Sequence, residues 1–104
     1  MLRLLSLLGA TAALCGCTTY KVWKVEATDP DIGLVQLSYS YGKYENPQVD
    51  ERAGTGIARE RCANWGFRDA VRKSEDQQCT QGSPSDCSKW LVIRDYQCLK
   101  DPAR

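Results

Sequence analysis

The chain has 104 residues, with 14 Lys and Arg against 13 Asp and Glu, no His and six Cys. A balanced charge offers no field for nucleic acid or anionic lipid, which demotes both partner classes. The absence of His removes the commonest general base and metal ligand.

The N-terminus decides the compartment. Met1 and Arg3 supply a short basic start, and residues 4–14 form an apolar segment. That segment is too short for a membrane span, which needs roughly 20 apolar residues, and it has the form of an export signal. It ends in Leu14-Cys15-Gly16-Cys17, which reads as a lipobox. A branched apolar residue three places before a Cys, and a small residue just before it, suit the lipoprotein signal peptidase. Residues 1–16 are therefore expected to be a signal peptide, with Cys17 carrying diacylglycerol and an N-acyl chain. Several acyl chains together hold a protein stably on a bilayer, whereas one holds it marginally. Thr18 stands where Asp would favour inner-membrane retention, so the expected location is the periplasmic side of the outer membrane. Residues 17–19 are expected as the lipidated Cys and a short tether, 20–99 as one globular domain and 100–104 as a loose tail.

About 90 residues remain after cleavage, near the size where a hydrophobic core alone is marginal. Residues 20–27 (YKVWKVEA) are β-branched and aromatic and predict a strand, with Trp23 and Val25 on one face. Thr28-Asp29-Pro30-Asp31 is a turn cluster ended by Gly33. Residues 34–41 alternate: Val35, Leu37, Tyr39 and Tyr41 point one way, Gln36, Ser38 and Ser40 the other. The two strands are expected to form an antiparallel hairpin. Residues 42–48 (GKYENPQ) predict a loop.

Asp50 can cap a helix that runs to Asn64 or Trp65, with Ile57, Ala58, Arg61, Cys62 and Trp65 on one stripe and Gly66 as its stop. Gly54 and Gly56 each cost about 1 kcal/mol relative to Ala, so the first turn either frays or the helix restarts at Thr55. Residues 67–78 predict an edge strand or irregular extended chain, and residues 81–86 a turn region. Residues 89–99 (KWLVIRDYQCL) predict a central strand, apolar on both faces, with Arg94 sharing a face with Trp90, Val92, Tyr96 and Cys98. The architecture expected is α+β: a four-stranded antiparallel sheet in the order β-β-α-β-β with one helix packed on it.

Four cysteines remain after Cys15 leaves and Cys17 is acylated, an even number in an oxidising compartment. Three pairings exist. Cys79 and Cys87 flank the turn region, and Cys62 lies on the helix stripe over the strand that holds Cys98, so the expected bonds are Cys62–Cys98 and Cys79–Cys87. Chain entropy gives upper figures of about 4 and about 2.5 kcal/mol for them. The spacings contain no close C-x-x-C pair, so neither zinc nor thioredoxin-like chemistry is expected. Glu45, Asp50 and Glu51 suggest a carboxylate site only weakly, since a helix cap and acidic first turn account for Asp50 and Glu51. Arg52, Arg59 and Arg61 are matched by Glu51 and Glu60 on the same helix. No catalytic residue, metal or cofactor is expected. Tyr44 and Trp23 are the weak candidates for partner contact.

Several blocks taken together resemble a known family. They are S-Y-x-Y-G at 38–42, E-N-P-Q-V-D at 45–50, A-x-x-R-C-x-x-W-G-F at 58–67 and K-W-L-V-I-R-D-Y-Q-C at 89–98. The chain is similar along nearly its whole mature length to the YecR-like lipoproteins, small bacterial proteins also met in phages and prophages. The resemblance implies a lipoprotein and, through an enteric member, a link to the flagellar regulon. It implies no biochemical activity and carries over no functional residue except Cys17. The function expected is a non-enzymatic, lipid-anchored protein acting through an envelope protein partner. The alternative is a phage-type inhibitor of a cell-wall enzyme or a superinfection-exclusion factor, with residues 44–47 or 81–86 as its inserting loop.

Overall fold

The computed structural model describes residues 18–102. The elements run β1 (Thr18–Lys21), β2 (Lys24–Asp29), β3 (Leu34–Gly42), β4 (Asn46–Val49), α1 (Glu51–Asn64), β5 (Asp69–Ser83) and β6 (Asp86–Leu99). The main sheet is antiparallel in the order β2-β3-β6-β5, and α1 packs on one of its faces. The expected α+β architecture and its four-stranded sheet are present. A second sheet, β1 paired in parallel with β4, was not expected.

That second sheet corrects the reading of residues 20–27 as one strand. The chain breaks after Lys21 because Trp23 turns inward: it is 5% exposed, and its Nε1 donates to the Asp50 carbonyl at 3.0 Å. Val22 is left outside, and Val25 does not share a buried face with Trp23. The chain then joins the main sheet as β2, an exposed edge strand with a bulge between Val25 and Ala27. The expected loop at 42–48 contributes only a tight turn before β4 begins. Pro47 is tolerated there because β4 is a short strand in a two-stranded sheet, where a missing N–H costs least. Thr18 and Thr19 are paired residues of β1, so they are not a tether.

The hairpin β2–β3 forms as its alternation requires. Val35 and Leu37 are fully buried, and they share the helix-facing side with Val92, Arg94 and Tyr96 of the neighbouring β6. α1 starts at the expected cap, where the Asp50 carboxylate accepts from the Ala53 N–H at 3.1 Å. It ends in a Schellman arrangement: Gly66 takes φ +91°, its N–H reaches the Ala63 carbonyl, and the Phe67 N–H reaches that of Cys62. The helix is continuous through Gly54 and does not restart at Thr55. Its buried stripe is Gly54, Ala58 and Cys62, whereas Arg61 is exposed.

Gly54 is not a flaw in the helix. A Cβ built there would lie 2.8 Å from Trp23 Nε1 and 2.9 Å from the Tyr96 hydroxyl. The helix can seat on the Trp23 ring only because that position carries no side chain.

β5 resolves the ambiguity at 67–78 as an edge strand running to Ser83, and the turn narrows to Pro84-Ser85. Both expected disulfides are formed. Cys62–Cys98 ties α1 to β6, and Cys79–Cys87 ties β5 to β6 near the hairpin tip.

The two helical glycines give opposite expectations. Gly54→Ala overpacks the Trp23–Tyr96 contact and should cost about 1–3 kcal/mol. Gly56 has nothing within 4 Å of an added Cβ, so Gly56→Ala should gain up to about 1 kcal/mol from helix propensity. Urea unfolding of both variants measures the difference, and equal effects would remove the close-packing account of Gly54.

Candidate functional site

Cys17, the expected lipidation site, lies outside the described residues, but the chain leaving it enters regular structure at once. Thr18 opposes Asn46 and Lys21 opposes Val49 in the parallel β1–β4 pair. The turn joining β3 to β4 is pinned at the same end. The Glu45 N–H donates to the Gly42 carbonyl at 3.1 Å, and the Gly42 N–H donates to Glu45 Oε1 at 2.6 Å. Lys21 Nζ sits 3.0 Å from Glu45 Oε2. The Gly42 N–H, followed by the Lys21 ammonium, holds the Glu45 carboxyl below the usual carboxylate range.

Lys43 and Tyr44 form the corner of that turn. The Lys43 N–H donates to the Ser88 carbonyl and its ammonium pairs with Asp86 at 2.7 Å, which joins the corner to the β5–β6 hairpin. The ammonium also lies 5.6 Å from the Tyr44 ring centroid. Tyr44 is 83% exposed, as a contact residue must be. Trp23 is not: its burial in the core corrects its assignment as a contact residue. Its ring is packed edge-on against Tyr39 and lies 4.7 Å from the Arg94 guanidinium carbon.

The densest group of titratable side chains surrounds Arg94, which is 3% exposed on the central strand. Its guanidinium donates to Glu51 at the start of α1, to Glu75 on β5 at 2.7 Å and to the Tyr96 hydroxyl at 3.4 Å. Burial opposes the charge, but the hydrogen bonds to Glu51, Tyr96 and Glu75 outweigh it and hold the pKa above that of an ordinary arginine. The Tyr39 hydroxyl nearby is pushed up, first by burial and then by the Glu75 charge, so it stays a neutral phenol. A guanidinium so engaged cannot reach a phosphate or carboxylate ligand without giving up these partners, so the cluster holds elements together.

The carboxylates are not gathered as a pair for acid–base chemistry. Asp50 caps α1, Glu51 engages Arg94 and Glu45 pins the turn. Arg59 pairs with Asp69 across to β5 at 2.7 Å, which corrects its expected pairing within the helix. A depression of about 410 Å³ on the outer side of α1 is lined by Glu51, Arg52, Thr55, Gly56 and Arg59, with charges of both signs. Among the described residues, no group of three or more His, Cys, Asp or Glu is placed to hold a metal ion. The stretches expected as inserting loops are shorter than expected: of residues 44–47 only Tyr44 and Glu45 lie in the turn before β4, and of residues 81–86 only Pro84-Ser85 separates β5 from β6. The role of Arg94 was missed in the sequence, although a lone charge on the same face as Val92, Tyr96 and Cys98 was its signal.

Two expectations follow from this geometry. Arg94→Met removes one partner from two carboxylates, and breaking a buried pair costs about 3–5 kcal/mol. Glu51 and Glu75 retain water access, so the loss should be nearer about 2–3 kcal/mol by urea unfolding, and Arg94→Lys should recover only part of it. For Glu45, a folded pKa below the ordinary 4.5 means that its contribution is present above that pH and lost as pH falls through the folded value. In Lys21→Ala its NMR titration midpoint should rise toward 4.5 without reaching it, since the Gly42 N–H remains; an unchanged midpoint would refute the pairing.

The model of the YecR-like lipoprotein family matches residues 22–99. A curated relative, the uncharacterized protein YecR of Escherichia coli (strain K12), is 29% identical over 98 residues, covering 93% of this chain and 92% of the relative. The matched span includes Trp23, the β3–β4 turn, all of α1, Arg94 and both disulfides, and the chain belongs to the YecR-like lipoprotein family.

Proposed function

We propose that this protein is anchored through acylated Cys17 to the periplasmic side of the outer membrane and acts there through contact with an envelope protein, without catalysis. The observation that carries the proposal is the junction between lipobox and fold. Leu14-Cys15-Gly16-Cys17 is followed directly by Thr18, the first residue of β1. A domain seated so close to its anchor works at the membrane surface rather than at the end of a long reach. Thr18, in place of Asp, supports the outer membrane. The engaged state of Arg94, which occupies both Glu51 and Glu75, and the separate roles of Glu45 and Asp50 support contact over chemistry. The resemblance to a family with a flagellar-regulon member makes the flagellar envelope machinery the first place to seek the partner.

The test is the intact mass of protein extracted from membranes, with and without reduction, beside a Cys17→Ala variant. The mature protein should begin at a triacylated Cys17 and gain about four daltons on reduction as two disulfides open. Cys17→Ala should keep residues 1–16 and lose the acyl mass. A wild-type protein that keeps its first residues, or that shows free thiols before reduction, would contradict the proposal.

A further inference from the structure

Among the described residues two aromatics stand more than four-fifths exposed, Tyr20 and Tyr44, and the position of Tyr44 relative to Cys17 is set by strand pairing. Tyr44 occupies the corner of a turn held by the Glu45–Gly42 and Lys21–Glu45 bonds, so its backbone is ordered in advance of any contact. The Cα of Cys17 lies about 3.8 Å from that of Thr18 by covalent geometry. Thr18 opposes Asn46, and paired strands run about 4.8 Å apart. Tyr44 is two residues before Asn46, which puts it within about 15 Å of the Cys17 Cα. It also lies at the end of β4 from which the chain toward Cys17 departs.

We propose that Tyr44 inserts at the phospholipid headgroup layer beside the acylated Cys17, making a second contact that holds the domain upright on the bilayer. This rests on the lipidation proposed above. Acyl chains leaving Cys17 bring the bilayer to this end of the molecule, and a protein partner would have to enter between domain and lipid to reach the same ring. Tyr is also suited to the site, with an apolar ring for the acyl boundary and a hydroxyl for the headgroups. Tyr20 on β1, 82% exposed and three residues after Cys17, flanks the same contact. Lys43 is neutralised by Asp86, so the contact is one of ring insertion and persists at high salt.

The upright pose follows from β3, which runs from the β2–β3 turn to this end. Its nine residues span about 27 Å at the usual rise per residue. Ile32, exposed in the opposite turn, therefore points away from the membrane, as does the C-terminal end of α1, which Cys62–Cys98 ties to the same end of the sheet.

The test uses full-length acylated protein in vesicles of phosphatidylethanolamine and phosphatidylglycerol whose acyl chains are brominated near the carbonyl. Tyr44→Trp and Ile32→Trp are compared after subtracting the signal of the unsubstituted protein, which contains Trp23, Trp65 and Trp90. Bromine should quench the Trp at 44 at least about twofold more than the Trp at 32, unchanged in high salt. Equal quenching, or more at 32, with the protein floating on the vesicles overturns the membrane contact while leaving lipidation intact. A protein that does not float, and lacks acyl mass, overturns the lipidation reading and the contact with it.

Discussion

Burying a guanidinium in a domain this small is tolerable only if neighbouring elements supply its donors with partners, and that requirement explains much of the architecture. Arg94 stands on the central strand and draws Glu75 from β5, Glu51 from the first turn of α1 and the Tyr96 hydroxyl from its own strand. The ring of Trp23, from the joint between β1 and β2, lies across it. The bulge in β5 between Arg72 and Ser74 follows from the same need. Regular pairing onward from Arg72↔Tyr96 would set Ser74 opposite Arg94; the extra residue sets Glu75 there instead. Gly54 completes the arrangement, because any side chain would lift α1 off Trp23 and move Glu51 away from the guanidinium.

The staples and the ion cluster divide the work along the sheet. Cys62–Cys98 closes the end remote from β1, where the Cys98 N–H also donates to the Gly33 carbonyl at 2.7 Å. Cys79–Cys87 closes the hairpin near the Lys43–Asp86 pair. Arg94 ties the middle. The 85 described residues have little core to spare, so constraint at three levels is what makes the body rigid. β1 belongs to this rigid body through its parallel pairing with β4.

The elements legible in the sequence were those whose signal is local. Alternation over Val35, Leu37, Tyr39 and Tyr41 identifies β3, and Asp50 and Gly66 bracket α1. The disulfide pairs followed from the order of elements. What was not legible depended on long-range partners. Residues 46–49 carry one apolar β-branched residue, Val49, beside a proline and two amides, and become a strand only because β1 lies beside them. Trp23 reads as a strand residue until α1 offers the Asp50 carbonyl to its indole. Gly54 reads as a helix breaker until Trp23 and Tyr96 are seen to occupy the space above it. At the candidate site, Tyr44 is exposed, as its place in a polar turn suggests, whereas the pinning of that turn depends on Lys21, distant in sequence.

The most direct measurement of this account is a double-mutant cycle in urea between Arg94→Met and Trp23→Leu. If the buried guanidinium and the indole form one unit with α1, the two substitutions should couple by more than about 1 kcal/mol. Additivity within about 0.5 kcal/mol would show that Trp23 and Arg94 stabilise the domain independently, and Arg94 would no longer be the interaction on which the fold depends.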